Sequence, residues 1–115
     1  MKTGLSPTQR TLRELRSRGA LVGITEHWNS FAKIRQDLFG FCDLVVIFPG
    51  RAGITAIQCT SGANHAARKK KILQNTIAPG FLKAGNTIEV WSWRKLKKEG
   101  WKPKIENIVL ADFEV

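Results

Sequence analysis

Acidic residues are scarce in this sequence: nine Asp and Glu stand against nineteen Lys and Arg. The formal charge is +10 at neutral pH and the isoelectric point lies near 10.2. A surface that basic attracts polyanions and releases counterions when it binds them, so nucleic acid is the expected partner. Cysteine is nearly absent. Cys42 and Cys59 both lie in apolar runs that read as strands and are expected to be buried core thiols. Two cysteines and two histidines, His27 and His65, show no zinc-ligand spacing, and His65 reads as a surface residue near a helix start. No apolar run is long enough to span a bilayer and no long basic amphipathic helix is evident, so no membrane partner is expected. No signal-peptide pattern follows Met1, which predicts a reducing, cytoplasmic setting. Internal repeats and low-complexity segments are also lacking.

The chain of 115 residues, 43% of them apolar, predicts a single domain over residues 1–115 with a core of its own. Ser6-Pro7 opens a helix, with Ser6 capping and Pro7 at the first helical position. Leu12 and Leu15 form its apolar stripe, and Gly19 ends it. Residues 20–28 read as a first strand, weakened by Gly23. A polar, basic connection from Asn29 to Gly40 leaves room for a short helical turn. Cys42 to Phe48 and Ile54 to Thr60 read as strands joined through the Pro49–Gly53 turn. Their near-continuous apolar runs suggest a sheet covered on both faces. A second helix is expected from His65 to Gln74, broken by Ala78-Pro79-Gly80, with Phe81, Leu82 and Ala84 as a short link. A strand from Thr87 to Trp93, a basic loop from Arg94 to Pro103 and a last strand from Lys104 to Phe113 complete the order α-β-β-β-α-β-β. The expected class is α/β.

One group of residues has the composition of a chemical site. Asp43 enters the second strand after a turn containing Gly40. Gln58 and Thr60 lie two apart on the third strand, so their side chains share a face. Pairing through the 49–53 turn brings Asp43 beside Gln58. A Gln inside an apolar strand needs a polar partner, whether another side chain, a water or a metal. On the residues alone, Asp43 also reads as a strand-entry residue and Gln58 as a satisfied core amide.

The stretch Arg35-Gln-Asp-Leu-Phe-Gly-Phe-Cys-Asp43, then Ile57-Gln-Cys-Thr-Ser-Gly62, then Asn64 to Lys71 resembles the PD-(D/E)XK nuclease superfamily. It is most similar to the small branch of Holliday-junction resolvases and VRR-NUC domains, in a phage-type form. The resemblance implies a restriction-endonuclease-like α-β-β-β-α-β core with an additional C-terminal strand and a mixed central sheet flanked by helices. It implies a divalent-metal-dependent nuclease hydrolysing DNA phosphodiester bonds, including branched or structured DNA, with Mg²⁺ or Mn²⁺ as cofactor and a two-fold homodimer. Asp43 matches the family's metal-binding aspartate. Gln58 replaces the expected acid, retaining an oxygen ligand without the charge. Thr60 replaces the expected lysine. The catalytic set implied is therefore Asp43, Gln58 and Thr60. The metal set is Asp43 and Gln58 with Glu14, by analogy with first-helix glutamates of the resolvase branch. Glu14 lies off the Leu12–Leu15 stripe, where pairing with Arg10 or Arg18 is the competing role. Glu26 and Asp37 are the other acids available, and Lys69 could stand in for the missing lysine.

Arg68, Lys69, Lys70 and Lys71 follow the third strand directly and, with Arg35, form the expected nucleic-acid face. Arg51, Arg94, Lys95, Lys97 and Lys98 extend it. Trp91 and Trp93 read as core, and Trp101, between Gly100 and Lys102, as a residue able to stack on a base. The substitutions at Gln58 and Thr60 leave a second reading open: a catalytically weakened or inactive DNA-binding protein that keeps the nuclease fold. A small RNA- or ribosome-associated protein is a third, supported by charge alone.

Overall fold

The computed structural model describes residues 4–113. In chain order the elements are α1 (Pro7–Ser17), β1 (Leu21–Ile24), β2 (His27–Asn29), β3 (Ile34–Gln36), β4 (Leu44–Ile47), β5 (Thr55–Ser61), α2 (His65–Leu73), α3 (Ala78–Lys83), β6 (Thr87–Leu96) and β7 (Gly100–Ile108). The protein is an α/β fold around a mixed five-stranded sheet of order β1-β4-β5-β6-β7. The β5–β6 pair is parallel and the other three are antiparallel. β2 and β3 form a separate antiparallel hairpin. No helix is long and apolar enough to cross a membrane among the described residues.

α1 starts where the sequence indicates. Ser6 Oγ accepts from the Gln9 backbone N–H at 3.1 Å, and the Gln9 side chain accepts from the Ser6 N–H at 3.0 Å. Leu12 and Leu15 bury against one face of the sheet with Leu44, Val46, Ile57, Cys59, Trp91 and Trp93. Trp93 Nε1 donates to Thr11 Oγ1 at 2.9 Å, satisfying the one polar atom of a buried indole. The opposite face packs Ala56, Ile88, Val90 and Ile108 against Ile72 of α2 and Ala78 of α3. Successive residues of β5 and β6 alternate between these two cores, as the period of a strand requires. Both faces are covered, in keeping with the apolar runs in the sequence.

Several boundaries differ from the sequence reading, each for a local reason. The expected strand 20–28 divides because Thr25 and Glu26 turn their N–H groups onto the carbonyl of Asp43, at 2.9 and 3.3 Å. The connection after Asn29 is the second arm of a hairpin, not a helical turn. Pro79 initiates α3 instead of ending a helix, as its missing N–H and fixed φ allow. The basic stretch after Trp93 continues the sheet: β6 and β7 stay paired out to Leu96 and Gly100, so charge there marks solvated strands. The last strand accordingly runs from Gly100 to Ile108, and residues 110–113 form a 3₁₀ turn. His65, expected at the surface, is buried. It lies 2.6 Å from Ser92 Oγ through Nδ1 and 2.8 Å from Glu106 through Nε2, tying α2 to β6 and β7. Gly53 takes φ +79, a conformation open to glycine, at the end of the β4–β5 turn.

Candidate metal centre

The sequence Asp37-Leu-Phe-Gly-Phe-Cys-Asp43 folds back on itself. Leu38 and Cys42 form an antiparallel bridge, with N–H to O distances of 3.0 and 2.9 Å in the two directions. The reversal uses positive φ at Phe39 (+58) and Gly40 (+85). For Phe39 that backbone conformation costs about 1 kcal/mol. The Asn75 side chain holds the turn by donating to the Phe39 carbonyl at 2.8 Å. Closing the bridge at 38 and 42 sets Asp37 and Asp43 opposite one another. Glu26 arrives from the end of β1, where its N–H is anchored to Asp43 O. Carboxylate oxygens of Glu26, Asp37 and Asp43 all lie within 4.8 Å of one another, a group that could hold a metal ion.

β5 supplies the fourth member. Gln58 leaves the strand on the same face as Ala56, toward α2. Its Nε2 donates to Asp43 Oδ2 at 2.8 Å and, weakly, to Asp37 Oδ2 at 3.4 Å. The Cys59 backbone N–H also donates to Asp43 Oδ2, at 2.9 Å. Both side chains are enclosed, Asp43 at 3% exposure and Gln58 at 2%. Yet Asp43 Oδ1 and Gln58 Oε1 have no hydrogen-bond donor. The unmatched Asp43 Oδ1, beside the Glu26 and Asp37 carboxylates, fits a hard cation, because a buried acceptor is otherwise costly to leave unmatched; Gln58 turns its Nε2 to the acids, and its Oε1 would join them on rotation of the amide.

Electrostatics follow from that crowding. Burial pushes the Asp43 carboxyl up to about 8, helped by the hydrogen bond it makes to Asp37 when protonated. Asp37 is also raised by its own burial, but the Asp43 hydrogen bond and the Lys71 ammonium outweigh this and hold it below its ordinary value. The more deeply enclosed Asp43 is thus the harder of the two to ionise. Lys71 Nζ lies 3.2 Å from Asp37 Oδ2, and Arg35 lies 3.6 Å from Glu26. The cluster opens to solvent on two sides. Asp37 and Lys71 line a cleft of about 470 Å³ with His27 and Gln36. Glu26 lines another of about 370 Å³ beside the start of α1, and Arg35 borders both.

The structure thus brings Asp43 and Gln58 together and leaves Glu14 apart. Glu14 is on the outer surface of α1, bonded to Arg18 at 2.9 Å. The acids beside Asp43 are Glu26 and Asp37. Thr60 shares the Gln58 face and is buried, but its hydroxyl makes no hydrogen bond to the three carboxylates. Lys69 points away and pairs with Glu106 at 2.6 Å, and Lys71 is the lysine at the acids. Arg68 and Lys70 enter no ion pair among the described residues, and Arg35 reaches Glu26. The signal for Asp37 lay in the sequence: two Asp six positions apart around a Phe-Gly pair that can reverse the chain. Lys71 carried no comparable signal, because four consecutive cations look alike until the helix phase is known. No family model matches this chain, and no curated protein or solved structure matches it either.

Proposed function

We propose that this protein is a divalent-metal-dependent nuclease of PD-(D/E)XK type, acting on DNA with Mg²⁺ or Mn²⁺. The observation that carries the reading is the enclosed Asp43–Gln58 pair, with one unmatched oxygen on each, set against Glu26 and Asp37. The chain order supports it: a helix, antiparallel strands β1, β4 and β5, a helix, then β6 parallel to β5. The β2–β3 hairpin is an insertion between the first two sheet strands, and β7 is the additional strand.

Asp43, Asp37 and Glu26 would supply carboxylate ligands and Gln58 a neutral one, its amide turning to offer oxygen in place of nitrogen. A bound divalent ion would supply Lewis-acid charge at the scissile phosphate and an activated water. Asp37 restores the negative charge that Gln58 lacks. Lys71 offers, from α2, the cation that Thr60 cannot, within reach of charge developing on a phosphate. Arg35, Arg68 and Lys70 would track the phosphate backbone without reading sequence, whereas Lys69 is held by Glu106. A two-fold homodimer in the cytoplasm accompanies this reading.

The second reading, a DNA-binding protein of this fold without catalysis, is favoured by Gln58 and Thr60 at the motif. Supercoiled plasmid separates the two. A nuclease nicks it with Mg²⁺ or Mn²⁺, and Asp43→Ala abolishes nicking while the protein still retards DNA in a gel. A wild-type protein that shifts DNA but leaves plasmid intact in both metals establishes the second reading.

A further inference from the structure

The β2–β3 hairpin grows directly out of the acid cluster. Glu26 immediately precedes β2 and Asp37 immediately follows β3. Its tip is fixed. Asn29 Oδ1 accepts from the N–H groups of Phe31 and Ala32 at 2.9 and 3.0 Å, and Asn29 O accepts from Lys33 N at 2.7 Å. Asn29 Nδ2 donates across the hairpin to Gln36 at 3.2 Å. This ordered turn holds the Phe31 side chain almost wholly in water, at 99% exposure. Trp28 is 58% exposed and sits opposite Arg35 in the ladder. An aromatic ring held out by a side-chain-braced turn gains free energy once something apolar receives it. Lys33 and Arg35 on the same arm select a polyanionic receiver over an apolar protein surface. The apolar surface within a polyanion is the face of a base.

We propose that this hairpin is a strand-separating wedge, with Phe31 inserting at a junction between paired and unpaired DNA while Lys33 and Arg35 hold the flanking phosphates. The proposal rests on the nuclease reading and names its substrate as a fork or branch, not continuous duplex. Apolar side chains inserted between base steps unstack them in this way. Four residues separate Glu26 from Phe31, so at ~3.3 Å per residue the two lie no more than about 16 Å apart. At ~3.4 Å per nucleotide along a strand, the scissile phosphate would lie within about five base steps of the wedge.

The test uses a forked DNA with 2-aminopurine at the last base pair before the fork, and a plain duplex of equal length, both in Ca²⁺. Wild-type protein is expected to raise 2-aminopurine fluorescence on binding the fork. Phe31→Ala should lose that rise and bind the fork on the order of tenfold more weakly, with duplex affinity changed less than about twofold. Phe31→Trp should restore both. An unchanged fluorescence with wild-type protein, or a Phe31→Ala variant equal to it, overturns the wedge. So does a wild-type dimer that Phe31→Ala dissociates in sedimentation, which would assign the tip to contact between copies. Cleavage is read separately in Mg²⁺. An active enzyme that leaves the fork stacked overturns the wedge alone, whereas fork opening without cleavage overturns the nuclease reading alone.

Discussion

Asp37 and Asp43 face each other across a reversal closed by Leu38 and Cys42, and burial raises the Asp43 carboxyl while Lys71 and the bond from Asp43 hold Asp37 low. A cation held by the cluster would displace a proton from Asp43. The same pair would then set both the acid–base behaviour of the free protein and any affinity for a metal.

Stability of the metal-free protein should fall as pH rises. Burial pushes the Asp43 carboxyl from its ordinary value of 3.8 in the unfolded chain up to about 8 in the folded one. Between those limits the folded state binds the extra proton, so its advantage is complete at the acid end and lost toward the alkaline end. The slope from one proton is at most about 1.4 kcal/mol per pH unit. Urea denaturation between pH 4.5 and 8.5 measures it. Added Mn²⁺ should flatten the curve at its alkaline end, and a stability that rises with pH throughout contradicts the assignment.

Gln58→Glu should exchange stability for metal affinity. A carboxyl 2.8 Å from Asp43 would add like charge in an enclosed site. The metal-free variant should lose at least about 2 kcal/mol. Calorimetric titration with Mn²⁺ should show at least about tenfold tighter binding, because a charged ligand replaces a neutral one. Unchanged affinity would remove Gln58 from the ligand set.

Lys71→Met should lower plasmid cleavage by roughly a hundredfold, the usual cost of losing one positioned charge at a reacting group. Gel-shift affinity should change by less than about threefold. Lys69→Met serves as the control. It releases Glu106 and should leave cleavage close to wild type, since Lys69 pairs away from the acids.

His65→Ala should destabilise the fold by about 1–3 kcal/mol, because buried Ser92 loses its side-chain partner and Glu106 is left with Lys69 alone. Thermal unfolding checks this. Metal binding should be unaffected, since His65 makes no hydrogen bond to Glu26, Asp37 or Asp43.

Much of the architecture was legible because it rests on short-range pattern. Ser6-Pro7, the near-continuous apolar run from Ile54 to Thr60 and the Pro49–Gly53 turn each fix an element from neighbouring residues. Pairing of those strands then set Asp43 beside Gln58. What escaped depended on contacts distant in sequence. Nothing local says that Glu26 would be drawn to the Asp43 carbonyl, or that His65 would find Glu106 across 41 positions. The stretch from Arg94 to Pro103 misled in the opposite sense, since its charges suggested a loop where two strands extend past the core. Glu14 was placed by analogy, and the helix phase that turned it outward was already visible in the Leu12–Leu15 stripe.

The parallel contact between β5 and β6 has a kinetic meaning. Thr55 and Thr87 meet across 32 positions, so the connection that carries both helices must loop back before that register closes. The β4–β5 arm needs only a short turn and can zip up first. A newly made chain would thus carry its paired aspartate and glutamine before its central ladder exists. Closing that one long loop would then be the slow step of maturation.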